Sequence, residues 1–168
     1  YHMDALPRFQ LLPVIRALRR CDVLLSGGGS LLQDRTSTRS LLYYLSVIRA
    51  AEWMGKPVML YANGIGPVRK TANRRRVKRV VERAALVTLR DRSSAQELRD
   101  MGVLREDLHV TADPVFHLDP ASPRRARELL DQAGLPEGRA FCAVSVRPWE
   151  DTGGFPQKIA ALCDHLRR

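Results

Sequence analysis

The sequence predicts an α/β fold built on a doubly wound parallel sheet, and three observations support this prediction. Short apolar runs alternate along the chain with longer segments whose apolar residues recur at helical spacing. Glycine, proline or serine separates most of these segments, as expected at turns and helix ends. Hydrophobic residues make up 45% of the 168 residues, so the chain can bury a core. Strands that alternate with helices form βαβ units and thus a parallel sheet.

Six segments predict helices, because their apolar residues recur every three or four positions. Glycine directly follows three of these segments, at positions 55, 102 and 134, and commonly ends a helix. Ser93 or Ser94 is expected to cap the fourth helix, since a serine oxygen accepts from the first free N–H groups. The predicted helices span 9–20, 38–54, 71–84, 93–101, 122–133 and 156–166.

Short apolar runs between these helices predict five strands. Each run is four to six residues long and contains at least one valine, a β-branched residue that favours strands. The predicted strands span 23–26, 57–62, 86–90, 108–111 and 141–146.

The connector at 135–139 predicts a domain boundary, because it combines proline and glycine and is followed by a new strand. Residues 1–135 would form most of an N-terminal domain. Residues 136–168 would form a linker and the first strand and helix of a C-terminal domain. One strand and one helix cannot close a core, so we expect a truncated chain, more so at its C-terminus.

Composition excludes several classes of protein. No apolar stretch approaches the roughly 20 residues that a membrane-spanning helix needs. Cys21, Cys142 and Cys163 are far apart, and the four histidines form no H-x-x-x-H pair. We therefore expect neither a disulfide framework nor a bound metal. These observations favour a soluble protein in the reducing cytoplasm.

The chain is strongly basic, with a formal net charge of +10 and a sequence pI near 10.4. The positive charge is densest between residues 69 and 83, where Val77, Val80 and Val81 fall at helical spacing and leave a basic outer face. This face is either solvated or a contact for an anionic membrane surface or another polyanion. We expect no nucleic-acid partner, because no aromatic residues are interleaved and no named binding motif is present.

Three successive glycines, Gly27, Gly28 and Gly29, end the first predicted strand and lead into Ser30. Residues without a Cβ let the backbone turn sharply, expose its N–H groups and admit a ligand closely. The segment is neither a G-x-G-x-x-G fingerprint nor a Walker loop with its lysine. It predicts a ligand-binding turn, and the alternative is a glycine-rich turn that only lets the backbone pack.

Polar residues and glycines also follow the other predicted strands. In an open parallel sheet, ligands bind outside the carboxyl ends of the strands. We therefore expect Asn63, Gly64, Arg90 and Arg147 at the same rim as the glycines and Ser30. Guanidinium groups hold carboxylates and phosphates bidentately, so this rim predicts a binding site for an anion such as a phospho-carboxylate.

Arg90 is the main candidate, because it ends a strand and directly precedes a capped helix whose N-terminus itself favours anions. The alternative is a scaffold role, in which Arg90 pairs with Asp91 or another nearby carboxylate. Arg147 is a candidate for the same reason, because it also follows a predicted strand. The alternative is that the Pro-Trp pair after it only fixes a turn and packs. Asp113 precedes a proline and is expected to form a turn and not to act as an acid.

The segments at the strand ends carry a family resemblance. They are Ser-Gly-Gly-Gly-Ser-Leu-Leu-Gln-Asp at 26–34, Ser-Leu-Leu-Tyr-Tyr at 40–44, Tyr-Ala-Asn-Gly-Ile-Gly-Pro at 61–67, Thr-Leu-Arg-Asp at 88–91, Ala-Asp-Pro-Val-Phe at 112–116 and Ser-Val-Arg-Pro-Trp at 145–149. In this order they resemble the polysaccharide pyruvyl transferase family, in particular its CsaB-type bacterial members, which act in the synthesis of cell-wall polymers.

The resemblance implies a GT-B-like enzyme with two Rossmann-like halves that face each other across a cleft. It implies transfer of a pyruvyl group from phosphoenolpyruvate, with no cofactor, to two hydroxyls of one sugar in a lipid-linked saccharide. The product is a cyclic ketal, and phosphate is released. Arg90 falls on the arginine of the family's RD motif and is thereby assigned as catalytic, while Arg147 matches the arginine of its S-x-R strand end. A lipid-linked acceptor also places the basic helix at the anionic inner face of the cell membrane.

Two departures from the family pattern bear on the site. Position 63 is asparagine where the family usually has glutamine, which shortens the reach of the amide. The histidine and lysine expected for proton transfer and phosphate binding lie beyond Arg168, so we expect the isolated chain to be inactive. The alternatives are a GT-B glycosyltransferase that uses a nucleotide-sugar and, on charge alone, a nucleic-acid-binding module.

Overall fold

The computed structural model describes residues 3–8, 10–135, 137–138, 140–147 and 153–167. The chain divides into two compact units, the first ending at Leu118 and the second beginning at Asp119. The domain boundary predicted after residue 135 stays a prediction.

The first unit alternates helices and strands, as the sequence predicts. Its elements are α1 (Leu11–Arg20), β1 (Leu24–Gly27), α2 (Thr38–Trp53), β2 (Val58–Asn63), α3 (Thr71–Arg83), β3 (Leu86–Leu89), α4 (Arg92–Asp100), β4 (Leu108–Val110) and a 3-10 helix (Pro114–His117). The second unit contains α5 (Pro123–Gln132) and α6 (Phe155–Leu166). All six predicted helices and the first four predicted strands are confirmed, with small differences at their ends.

The four strands form one parallel sheet in the order β1-β2-β3-β4. Ser26, Leu60, Val87 and Leu108 lie side by side across it. Each connection advances one strand in the same direction, and right-handed crossovers place the connecting helices on one face. The parallel sheet with its flanking helices confirms the predicted α/β, Rossmann-like class. The described strands wind in one direction, so the second winding direction of a doubly wound sheet stays a prediction.

The core lies between this face of the sheet and the helices. It is built from buried aliphatic side chains of β2, β3, α2 and α3, among them Leu60, Val87, Leu41, Ile48, Val77 and Val81. The opposite face of the sheet is more open, since Leu25 is 59% and Tyr61 42% exposed. Alternate residues of a strand point to opposite faces, which explains why Ser26, next to Leu25, and Leu60, next to Tyr61, are buried.

A bulge near the end of β2 breaks this alternation. Leu60 pairs with Val87 but Asn63 pairs with Leu89, so β2 has one extra residue between them. Ala62 takes a left-handed backbone conformation with φ 44°, and its N–H donates to Thr88 Oγ1 at 2.7 Å. As a result both Ala62 and Asn63 are buried, and the chain after β2 is redirected toward α4.

Two predicted features of secondary structure are wrong. The N-terminal cap of α4 is Asp91 and neither Ser93 nor Ser94. The Asp91 carboxylate accepts from Ser94 N at 2.7 Å, so the helix begins directly after Asp91. Residues 140–147 form no strand, although a strand is predicted over 141–146. A strand needs a neighbour to pair with, and the described part of the second unit contains no other.

Asp34 ties the loop after β1 to the start of α3. The residue is 9% exposed, and its carboxylate accepts from Arg69 N at 2.8 Å, Lys70 N at 3.2 Å and Asn73 Nδ2 at 2.7 Å. Burial alone would raise the pKa of Asp34, but these hydrogen bonds and the Lys70 charge outweigh it and hold the pKa below its ordinary value. The loop that carries Ser30 is thereby anchored at its far end.

Candidate active site

A cleft of about 320 Å³ lies at the carboxyl ends of β2 and β3. The loop after β1, the loop after β2 and the start of α4 line it. The lining residues are Ser30, Gly64, Ile65, Gly66, Pro67, Arg90, Asp91, Ser93, Ser94 and Glu97. Open parallel sheets bind their ligands at this edge, so the cleft is the candidate active site.

Backbone hydrogen bonds bring the loops after β1 and β2 together. Gly64 N donates to Gly29 O at 3.2 Å, and Gly66 N donates to Leu32 O at 3.0 Å. Leu32 and Ile65 form a parallel bridge between these two bonds. The pairing of β1 with β2 is thus continued past the strand ends, which places Ser30 beside Gly64.

The Arg90 side chain lies in the cleft and is 32% exposed. Its Nη2 donates to Ser30 Oγ at 2.8 Å, and its Nε donates to Asp91 Oδ2 at 3.4 Å. Its Nη1 lies 3.5 Å from Asp113 Oδ2. Arg90 therefore has both features that the sequence left open: it faces a cleft, and it pairs with nearby carboxylates.

Gly64 provides the surface on which the guanidinium lies. A Cβ at this position would lie 2.7 Å from Arg90 Nε, 2.7 Å from Ser30 Oγ and 2.8 Å from Arg90 Cζ. Carbon atoms do not approach polar atoms this closely without displacing them. Arg90 and Ser30 can meet over position 64 only because it is glycine.

Asp91 holds Arg90 and caps α4 at the same time. Its Oδ1 accepts from Ser94 N and from Ser93 Oγ, both at 2.7 Å. Burial raises the pKa of Asp91, but the hydrogen bonds from Ser93, Ser94 and Arg90 outweigh burial and lower the pKa to about 2. Asp91 is thus a carboxylate at neutral pH, and it fixes Arg90 at the N-terminus of a helix.

The two carboxylate oxygens of Asp113 make different contacts, one within a turn and one with Arg90 at the cleft. Its Oδ1 accepts from Val115 N at 3.1 Å and caps the 3-10 helix, which confirms the predicted turn. Its Oδ2 faces Arg90 Nη1 at 3.5 Å, a contact that the sequence did not predict. The side chain is 41% exposed, so this pair is well solvated and weak.

The three glycines of the predicted ligand-binding turn do not line the cleft, contrary to expectation. A Cβ on Gly27 would lie 2.2 Å from Tyr61 O, so this glycine permits the close pairing of β1 and β2. Gly28 takes φ 81°, in the region that favours glycine, and Gly29 O accepts from Gly64 N. The turn places Ser30 at the cleft, and the binding role predicted for the three glycines stays a prediction.

Asn63 is fully buried and does not line the cleft, although it is predicted to bind substrate. Its Nδ2 donates to Ser26 O at 2.5 Å, and its backbone O accepts from Arg90 N at 3.3 Å. Its Oδ1 has no hydrogen-bond partner among the described residues. The bulge at Ala62 turns this side chain inward, so Asn63 supports the strand ends that carry Gly64 and Arg90.

Arg147 belongs to the second unit, where it is exposed. The Pro-Trp pair that follows it lies outside the described residues. The binding role predicted for Arg147 stays a prediction.

Two residues of α4 support the cleft without having been predicted. Ser94 Oγ accepts from Ile65 N at 2.9 Å, and Glu97 Oε1 accepts from Val68 N at 3.2 Å and from Arg74 Nη1 at 3.1 Å. Both hold the loop after β2 against α4. Their spacing of three residues places them on one face of a helix, which is the signal that could have identified them.

Among the residues that the structure describes, no cluster of three His, Cys, Asp or Glu side chains is placed to hold a metal ion. The described helices include none that is both long enough and apolar enough to cross a bilayer.

The fold and the cleft define a Rossmann-like α/β domain whose candidate active site lies at the carboxyl edge of its sheet. The chain belongs to the polysaccharide pyruvyl transferase family, whose model matches residues 2–168. This confirms the family that the motifs resemble and makes the protein a transferase. The CsaB-type assignment within the family stays a prediction. No curated protein and no solved structure matches the chain.

Proposed function

We propose that the protein transfers the pyruvyl group of phosphoenolpyruvate to two hydroxyls of a lipid-linked cell-wall saccharide and releases phosphate. Its family supports transfer of pyruvate to a polysaccharide. The observation that carries the assignment of the donor is the Arg90 guanidinium, which lies in an open cleft beside the Ser30 hydroxyl and the N-terminus of α4. The proposal requires no cofactor.

The donor carries a carboxylate and a phosphate, and both groups match the planar fork of a guanidinium. The Arg90 contacts with Asp91 and Asp113, at 3.4 and 3.5 Å, are longer than the roughly 2.7–2.9 Å of strong charged hydrogen bonds. A donor oxygen is therefore able to replace the exposed Asp113 carboxylate at Nη1. Asp91 stays behind the guanidinium and keeps its orientation.

The proposed reaction adds two hydroxyl oxygens to C2 of phosphoenolpyruvate. The first oxygen bonds to C2 while C3 takes up a proton, and the second displaces the phosphate at C2. One hydroxyl proton is thus balanced by the proton gained at C3, and the other leaves with the phosphate. Arg90 supplies the electrostatic part, because a fixed positive charge beside the departing phosphate stabilises it by a few kcal/mol.

Donor binding is tested by adding phosphoenolpyruvate to the isotopically labelled chain and following its NMR spectrum. We expect shifts at the Gly64 and Ser94 amides and at Arg90 Nε–H. Arg90→Gln keeps a polar side chain but removes the charge, and should weaken binding at least tenfold, since hydrogen bonds between charged groups are the strong ones. Arg99→Gln removes the same charge from the exposed end of α4 and should leave binding unchanged.

Equal binding by Arg90→Gln and the unaltered chain would contradict the donor site. Shifts at the cleft with a nucleotide-sugar but none with phosphoenolpyruvate would favour a glycosyltransferase. Turnover is tested with the enzyme, phosphoenolpyruvate and cell-wall saccharides, where phosphate release should accompany gain of a pyruvyl ketal by the saccharide. Phosphate release with no change in saccharide mass would contradict the transfer.

A further inference from the structure

A second cavity, of about 270 Å³, lies between α2 and α3, away from the candidate active site. Arg49 of α2 and Arg76 and Arg79 of α3 line it around the aliphatic side chains of Leu42 and Val80. We call its exposed surroundings the α2–α3 surface. This surface comprises Leu42, Ser46, Arg49, Trp53, Arg75, Arg76, Arg79 and Arg83.

The α2–α3 surface is strongly positive. Helix α3 contains six arginine and lysine residues and one acidic residue, Glu82, which pairs with Lys78 at 3.5 Å. Arg74 turns away from the surface to pair with Glu97, whereas Arg75, Arg79 and Arg83 are exposed. Charged side chains that line one face in this way attract a polyanion.

Two large apolar side chains lie exposed within the same surface. Trp53 is 79% and Leu42 is 40% exposed. Both belong to the stripe of α2 formed by residues 42, 46, 49 and 53, at helical spacing. The Arg49 guanidinium lies 5.6 Å from the centroid of the Trp53 ring. Helices α2 and α3 both connect neighbouring parallel strands and therefore run in the same direction, so Trp53 and Arg83 each lie at the C-terminal end of their helix.

The geometry points to an anionic lipid bilayer as the partner of the α2–α3 surface. Tryptophan sits at the level of lipid headgroups, and arginine stems can lie along the acyl boundary while the guanidinium groups bind phosphates. A basic helical face with exposed tryptophan and leucine is the pattern of a protein that lies on a membrane. Single-stranded nucleic acid would need successive stacking aromatics, whereas this surface has a single tryptophan at its edge. The inference does not depend on the reaction proposed above.

Binding is tested by sedimentation of the full chain with vesicles of phosphatidylglycerol or of phosphatidylcholine, at one salt concentration. We expect binding to the anionic vesicles alone. Each arginine near a membrane surface changes affinity about fivefold, so the double variant Arg76→Gln and Arg79→Gln should bind about 30-fold more weakly. The matched control, Arg124→Gln and Arg125→Gln on α5, removes the same charge from two exposed arginines and should change affinity less than threefold.

Trp53 also provides a direct probe of its own environment. With Trp149→Phe it is the one tryptophan left, and its emission should shift to shorter wavelength on anionic vesicles and stay unchanged on neutral ones. Equal weakening by the α3 and α5 double variants would overturn the inference, because net charge alone would then explain binding. Binding to duplex DNA with none to anionic vesicles would overturn it as well, in favour of a nucleic-acid surface.

Discussion

The substitution Gly64→Ala tests whether the packing of Arg90 over position 64 matters for donor binding. The backbone of Gly64 is not in the left-handed region, so alanine is allowed there by conformation. Its added Cβ would lie 2.7 Å from both Arg90 Nε and Ser30 Oγ. Both atoms belong to side chains that can rotate into other staggered positions, so we expect them to move apart while the backbone stays in place.

The expected magnitude follows from the contact that is lost. The hydrogen bond from Arg90 Nη2 to Ser30 Oγ, 2.8 Å long, involves a charged donor. Such bonds contribute about 1.5–3 kcal/mol, and each 1.4 kcal/mol changes affinity about tenfold. Binding of phosphoenolpyruvate should therefore weaken about 10- to 100-fold. The free energy of unfolding should fall by no more than about 3 kcal/mol, the contribution of this one bond, since glycine to alanine at an allowed conformation itself costs little.

The assay is titration calorimetry with phosphoenolpyruvate, combined with urea unfolding of the same samples. Gly153→Ala is the matched control, because a Cβ there meets nothing within 4 Å. Unchanged affinity in Gly64→Ala, with the Arg90 Nε–H resonance also unchanged, would refute the argument. A larger loss of stability would also contradict the argument, because the backbone, and not the Arg90 side chain, would then have moved.

Four further predictions concern the scaffold and the charges of the cleft. Asp34→Ala should lower the free energy of unfolding by about 2–4 kcal/mol in urea, since three donors lose their acceptor, and a loss below 1 kcal/mol would contradict this. Gly27→Ala should cost about 3 kcal/mol or prevent folding, because its Cβ would meet Tyr61 O, and an unchanged melting temperature would count against the assigned pairing. The pKa of Asp91 is lowered to about 2, so its stabilising effect is complete above about pH 4 and is lost as the pH falls toward 2. The difference in unfolding free energy between the unaltered chain and Asp91→Asn should therefore shrink over this range, and a constant difference would contradict the assigned pKa. Asp113→Asn should strengthen phosphoenolpyruvate binding about threefold in calorimetry, because a competing carboxylate is removed, whereas weaker binding would give Asp113 a direct role.

Local patterns in the sequence predict most of the secondary structure. Periodicity and glycine positions place every described α-helix to within about two residues, as for α2, which ends at Trp53, two residues before Gly55. The prediction of a strand at 141–146 is wrong because apolar and β-branched residues only favour an extended backbone, whereas a strand also needs a neighbouring strand to pair with. The predicted cap of α4 is wrong because aspartate and serine cap helices equally well. Which of these residues caps α4 therefore depends on where β3 ends.

The candidate site is predicted in part. Position in the fold suffices for Arg90, Gly64 and Ser30, which the structure places on one cleft because parallel strands end at one edge. The expectation that a residue at the end of a strand faces the cleft is wrong for Asn63. A bulge of one residue in β2 reverses the face to which the Asn63 side chain points. The three glycines do not line this cleft either, and the missing Cβ of Gly27 permits the close pairing of β1 and β2. The contact between Arg90 and Asp113 joins residues far apart in sequence, and no local pattern predicts it.

The central claim is that the guanidinium at position 90 holds the anionic donor in the cleft after β2 and β3. A crystal structure of the protein soaked with phosphoenolpyruvate tests this claim most directly. The account predicts donor oxygens at about 2.7–2.9 Å from Arg90 Nη1 and Nη2, with Asp113 displaced from Nη1. A donor bound elsewhere, with Arg90 still in contact with Ser30 and both carboxylates, would contradict it.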